Sequence, residues 1–203
     1  MFDRHLLPLQ HRLLAPAARK LAAAGIGADA ITLVGFAVGL AAVPLIAGGH
    51  MLAGLAAILA NRALDGLDGA VARIVGPTDR GAFLDVALDF FFYATIPLAF
   101  AFADPAANAL AAAALVVAFV GTGSSFLAFA AIAARRGLAA DAYPKKGIYY
   151  LGGLTEGAET IAFFVAICVW PGAFAALAWI FAAACLVTTV TRWIAGWTAF
   201  AGR

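Results

Sequence analysis

Residues 107–134 run from end to end without a charged side chain. Predominantly apolar stretches recur at 30–48, 52–73, 82–103, 150–170 and 173–200. Each is near the ~20 residues that a helix needs to cross the hydrocarbon of a bilayer. The breaks between them are short and rich in turn residues: Gly48-Gly49-His50, Gly76-Pro77, Asp104-Pro105, the polar run 135–146 and Trp170-Pro171-Gly172. This pattern predicts an all-α integral membrane protein with six transmembrane helices. At 12% charged residues the chain carries about half the charge of a soluble domain, which excludes that class. No internal repeat or second domain is visible, so residues 1–203 are expected to form one membrane domain, with the six-helix bundle over 30–200.

Residues 2–24 mix Leu6, Leu7, Leu13, Leu14 and Leu21 with Arg4, Arg12, Arg19 and Lys20. That predicts an N-terminal amphipathic helix lying in the interface, interrupted by Pro8 and Pro16. It lacks the compact apolar centre of a cleavable signal peptide. With the N-terminus in the cytoplasm, the outer turns 48–51, 104–106 and 170–172 contain no Lys or Arg. All 13 basic residues then fall on the inner side, as the positive-inside rule requires. The expected location is a cell inner membrane, with a multi-pass chain. Cys168 and Cys185 lie in apolar runs as small hydrophobes, and His5, His11 and His50 have no metal spacing. No basic-aromatic patch suggests nucleic acid.

Within this hydrocarbon, residues 65–89 read DGLDGAVARIVGPTDRGAFLDVALD. Asp65 and Asp68 are three apart and Asp85 and Asp89 four apart, so each pair shares one helix face. The hinge Gly76-Pro77-Thr78 lies between the pairs and would fold them toward one pocket. Acids at membrane depth are costly and mark function. Two such pairs suit one or two Mg2+ or Mn2+ ions, which take oxygen ligands and leave positions for phosphate oxygens; two ions are expected. Gly69 admits a phosphate close to the backbone, Arg73 could clamp it with planar donors, and an acid not committed to metal could take a proton from a hydroxyl. The reaction class is phosphoryl transfer from a diphosphate at a membrane surface.

These residues resemble the signature of the CDP-alcohol phosphatidyltransferase family, D-x2-D-G-x2-A-R-x8-G-x3-D-x3-D, at Asp65, Asp68, Gly69, Ala72, Arg73, Gly81, Asp85 and Asp89. Here seven residues rather than eight separate Arg73 from Gly81. The resemblance implies that Asp65, Asp68 and Asp85 ligate the metal. Asp89 would complete the site and serve as base for the acceptor hydroxyl. Gly69, Ala72, Arg73 and Gly81 would hold the nucleotide diphosphate. It also implies a CDP-activated donor, such as CDP-diacylglycerol, an alcohol acceptor, release of CMP and a homodimer.

Other residues carry two readings each. Thr32 either lines the nucleotide pocket or caps the first span. Gly35 and Gly39 have the spacing of a helix-packing pair. Arg62 either balances the acid charge or reaches to the headgroups. Glu156 and Glu159 could meet an ammonium-bearing substrate, through a faint similarity to choline and ethanolamine phosphotransferases, or could bond to Arg192 or Lys146. Arg135, Arg136, Lys145 and Lys146 could bind a phosphorylated acceptor or simply set topology. The alternatives to a phosphatidyltransferase are a phosphotransferase using a CDP-amino alcohol and diacylglycerol, an intramembrane prenyltransferase, and a cation channel or transporter. The prenyltransferase would separate its acid motifs more widely. The channel would leave Gly69, Ala72 and Arg73 unexplained.

Overall fold

The computed structural model of the chain describes residues 3–137 and 153–201, with side chains from residue 13 onward. Eight α-helices appear there: α1 (Asp3–Ala23), α2 (Ala28–Leu40), α3 (Ala42–Ala47), α4 (Met51–Val75), α5 (Asp79–Ala103), α6 (Pro105–Arg135), α7 (Gly157–Val169) and α8 (Phe174–Ala199). A 3-10 turn, Pro171–Ala173, leads into α8, and the described residues contain no strand.

Among the described residues four segments are long and apolar enough to cross a membrane: Ala28–Ala47, Asp79–Ala103, Pro105–Arg135 and Pro171–Ala199. The first comprises α2 and α3, which part at Ala41 just ahead of Pro44. Proline has no N–H for the Leu40 carbonyl, and its ring crowds that oxygen. The other two expected spans differ from these in character. α4 has 25 residues but carries Arg62, Asp65, Asp68 and Arg73. α7 has 13 residues, a rise of about 20 Å against the ~30 Å of a bilayer core.

The start of α7 departs from the expected span at 150. Residues 153–156 are not helical. The amides of Leu154 and Thr155 both donate to Thr188 Oγ1 on α8, each at 3.1 Å. The α8 hydroxyl thus satisfies backbone groups that a helix would otherwise pair internally. α1 also differs from expectation, since it continues through Pro8 and Pro16. An internal proline removes one hydrogen bond and bends a helix without necessarily ending it.

The core centres on Phe92, Ile96 and Phe100 of α5, Leu115 of α6, Phe164 and Ile167 of α7, and Phe174 of α8. Phe100 and Phe174 stack at 4.5 Å, as do Phe163 and Phe181. A second cluster of Ala18, Ile31, Ala70 and Val71 docks α1 against α2 and α4. Outward-facing Leu52, Phe83, Leu110, Val117 and Ile180 are exposed, which suits a surface solvated by lipid rather than water.

The placement of α2 matters most for the site. It packs against both α4 and α5, while α4 and α5 touch each other little. Gly35 and Gly39 permit this approach. A Cβ on Gly39 would lie 2.9 Å from Asn61 and Phe92, and one on Gly35 would lie 3.0 Å from Leu64 Cβ. The polar cavity expected between the second and third spans is therefore walled by α2 as well.

Candidate active site

α4 ends at Gly76, whose φ of 102° is a conformation that L side chains rarely adopt. Pro77 follows, and Thr78 caps α5 by accepting from Gly81 N at 3.0 Å. This turn reverses the chain and returns the first half of α5 to the level of the last turns of α4.

Asp65, Asp68 and Asp85 converge there, with one oxygen from each lying within 4.8 Å of the other two. Asp68 is buried, Asp65 half-buried and Asp85 exposed, so the cluster opens outward. Three carboxylate oxygens at this separation fit a hard divalent cation that prefers oxygen ligands and keeps some positions for other groups. Without a cation the cluster concentrates like charge, which opposes folding.

Thr32 Oγ1 lies 2.5 Å from Asp68 Oδ2 and 3.1 Å from the Ala28 carbonyl, and donates to one of them. Thr32 is not the cap of α2; that position belongs to Gly27. Its hydroxyl instead reaches the most buried acid of the cluster. Thr32, Gly35, Phe36, Asn61, Asp65, Asp68, Asp85, Leu88 and Asp89 line one narrow cavity.

Asp89 has a different partner. Arg62 Nη2 donates to Asp89 Oδ1 at 2.6 Å and Nη1 to Oδ2 at 3.1 Å, a two-bond fork. Nη1 also donates to Tyr93 Oη at 3.1 Å, and Nε to Asn61 Oδ1 at 2.8 Å. Asn61 is itself held by its Nδ2 donating to the Gly35 carbonyl at 2.9 Å. Arg62 thus sits among the acids rather than reaching for headgroups. Asp89, expected among the metal ligands, stands beside the three-acid cluster and not within it.

Directly after Asp68 on α4, Gly69 is open: among the described residues a Cβ there would meet only Arg73 Nη1, at 3.4 Å. Ala72 is half-buried and Arg73 exposed. Gly81 lies near Asp29, whose Oδ1 would be 3.1 Å from an added Cβ. Asp29 also takes a two-bond ion pair from Arg80, with Nε and Nη2 both 2.6 Å from Oδ2.

The expected acceptor residues lie elsewhere. Glu156 and Glu159 form a reciprocal capping box at the start of α7, and Glu156 also accepts from Gly153 N at 2.9 Å. Arg192 is buried and donates to the Thr122 carbonyl at 3.1 Å. Arg135 is exposed at the end of α6, and Lys145 and Lys146 fall outside the described residues. Neither Arg135 nor the two glutamates line the acid cavity.

Asn61, Tyr93 and the Asp29–Arg80 pair were not singled out from sequence. A usable signal existed for Asn61, an amide in an apolar helix beside Arg62. Tyr93, one turn after Asp89, offered a weaker one.

Residues 26–198 match the sequence pattern of the family described as CDP-alcohol phosphatidyltransferase. The chain is 54% identical over 192 residues to the inner membrane protein YnjF of Escherichia coli (strain K12), covering 95% of this chain and 93% of that one. It is 43% identical over 83 residues to the archaetidylinositol phosphate synthase of Methanothermobacter thermautotrophicus, covering 40% and 41%. Among solved structures it is similar to the phosphatidylinositol phosphate synthase of Mycobacterium tuberculosis. With CDP-DAG bound, that structure has a TM-score of 0.68 at 28% identity, covering 92% of this chain and 94% of that one. A complex of the same synthase with manganese and citrate has a TM-score of 0.68 at 28% identity, covering 91% and 89%.

Proposed function

The chain belongs to the CDP-alcohol phosphatidyltransferase family, and from that premise we propose that it transfers a phosphatidyl group from CDP-diacylglycerol to an alcohol, releasing CMP. It is a transferase of phospholipid biosynthesis, which removes the channel and prenyltransferase alternatives. The observation that carries the donor side is the convergence of Asp65, Asp68 and Asp85 beside the open backbone at Gly69, the residue after Asp68.

In this reading Asp65, Asp68 and Asp85 hold Mg2+ or Mn2+. A cation bound there supplies Lewis acidity that draws charge from the diphosphate. Gly69 admits the diphosphate to the α4 backbone, and Arg73 donates to its oxygens. Gly81 and Ala72 leave room for the nucleotide, and the Thr32 hydroxyl orients Asp68. The acceptor oxygen forms a bond to the phosphatidyl phosphorus as the bond from that phosphorus to the CMP oxygen breaks. The acceptor proton passes to Asp89, whose carboxylate retains lone pairs beyond those used by Arg62.

The CDP-diacylglycerol donor is supported by the similarity to the mycobacterial synthase that binds CDP-DAG. Among the described residues both glutamates cap α7 and neither lines the acid cavity, which favours CDP-diacylglycerol over a CDP-amino alcohol as donor. Arg135, Lys145 and Lys146 are the proposed counter-charges for a phosphorylated acceptor. The proposal extends to a single domain with six spans, a homodimer, and α1 lying on the cytoplasmic face beside the acid cavity. The cytoplasmic placement is supported by the basic residues Arg19, Lys20, Arg73, Arg80 and Arg135, at the C-terminal ends of α1, α4 and α6 and the start of α5.

The direct test is CMP release by the purified protein with Mn2+ and CDP-diacylglycerol, across glycerol 3-phosphate, inositol phosphate, serine, choline and phosphatidylglycerol. Release with one acceptor and its loss in Asp89→Asn are expected. Release only from CDP-choline or CDP-ethanolamine with diacylglycerol would overturn the donor assignment.

A further inference from the structure

Arg62 is built into its position on every side. Its Nε is taken by Asn61 Oδ1, its Nη1 by Asp89 and Tyr93, and its Nη2 by Asp89. Its guanidinium carbon lies 5.0 Å from the centre of the Phe92 ring and 5.2 Å from that of Tyr93. Nη1 also stands 3.6 Å from Asp65 Oδ2. An arginine anchored this way is a poor candidate for a mobile charge. The planar fork on Asp89 fixes both oxygens of that carboxylate in one orientation.

The charge arrangement gives this a consequence. Four acids face one cavity, but only three of them converge, and the fourth is matched by a guanidinium. A guanidinium in contact with Asp89 and near Asp65 occupies the side of the cavity where a second divalent ion would need those two acids as ligands.

We propose that Arg62 is a positioning residue that stands in for a second cation: it withholds Asp89 from metal ligation, limits the site to one divalent ion on Asp65, Asp68 and Asp85, and keeps Asp89 directed at the acceptor hydroxyl. This departs from the two ions expected from sequence. It rests on the metal-dependent reading of the site given above.

The test counts Mn2+ bound at equilibrium by the purified full-length protein, using the spin-resonance signal of free Mn2+ with Mn2+ alone as the probe. One ion per chain is expected for the wild type. Asp89→Asn should leave the Mn2+ affinity within about threefold, because Asp89 is not a ligand, whereas disturbing the shell of a bound metal commonly costs 10–100-fold. Arg62→Gln should raise the count to two, and Arg62→Gln combined with Asp89→Asn should return it to one. Arg62→Lys, which keeps the charge and loses the fork, should lower kcat while leaving the KM for CDP-diacylglycerol unchanged. Two ions in the wild type, or a tenfold loss of Mn2+ affinity in Asp89→Asn, would overturn the proposal. The Asp89→Asn result holds even if Arg62→Gln does not fold. Absence of any Mn2+ binding to the wild type would instead remove the metal-dependent reading, and this proposal with it.

Discussion

Gly69→Ala separates structural from functional use of one residue, because the two predict opposite signs. Gly69 lies inside α4, and among the described residues the added methyl would meet nothing but Arg73 Nη1 at 3.4 Å, an ordinary contact with the end of a flexible side chain. The folded state therefore accepts it without strain. Replacing glycine by alanine in a helix interior contributes about 0.5–1 kcal/mol of stability by restricting the unfolded chain. For a chain of this size that raises Tm by roughly 1–4 °C. The same methyl stands where the diphosphate is proposed to approach the backbone. Displacing one charged phosphate contact costs on the order of 1.5–3 kcal/mol, or about 10–150-fold in kcat/KM for the CDP-activated donor. Thermal unfolding in detergent and steady-state CMP release measure the two effects on one preparation. A raised Tm with unchanged kcat/KM would refute the assignment of Gly69 to the diphosphate. A lowered Tm would refute the open packing around Gly69.

Three further outcomes follow from other contacts. Thr32→Val removes the hydroxyl 2.5 Å from Asp68, and Mn2+ affinity should fall by about 10–100-fold; calorimetry showing no change would leave that contact without a role at the cation site. Gly39→Ala drives a methyl against Asn61 and Phe92, and chemical denaturation should show a loss of about 1–3 kcal/mol; unchanged stability would mean that α2 does not pack closely there. Glu156→Gln keeps an oxygen to cap α7, so the acceptor KM should stay within about twofold, and a large rise would return Glu156 to the acceptor site.

The features legible in the chain were those that depend on near neighbours. Apolar runs of bilayer length predict helices because a membrane forces the backbone to bond within itself. Acid spacings of three and four residues predict shared helix faces because the helical repeat is local. The hinge at Gly76-Pro77-Thr78 was readable because proline disfavours the helical conformation of the residue before it by local sterics. The eight signature positions pointed to the family for a related reason: their chemistry depends on spacing along two helices joined by one turn.

Other features depended on contacts that no local pattern encodes. Thr32 meets Asp68 across 36 positions, and Arg62 takes Asp89 across 27. Which acid joins the cluster and which joins the arginine depends on α2 standing against both α4 and α5, and thus on glycine faces with no chemistry of their own. Thr188 of α8 takes the amides of Leu154 and Thr155 just ahead of α7, across more than 30 positions. Sequence alone determined that four acids would lie at one end of a helical membrane bundle, because periodicity and hydropathy act over a few residues. Their division into a three-acid cluster and an ion pair came only with tertiary packing, because side chains separated by whole helices meet only where the backbones between them allow close approach.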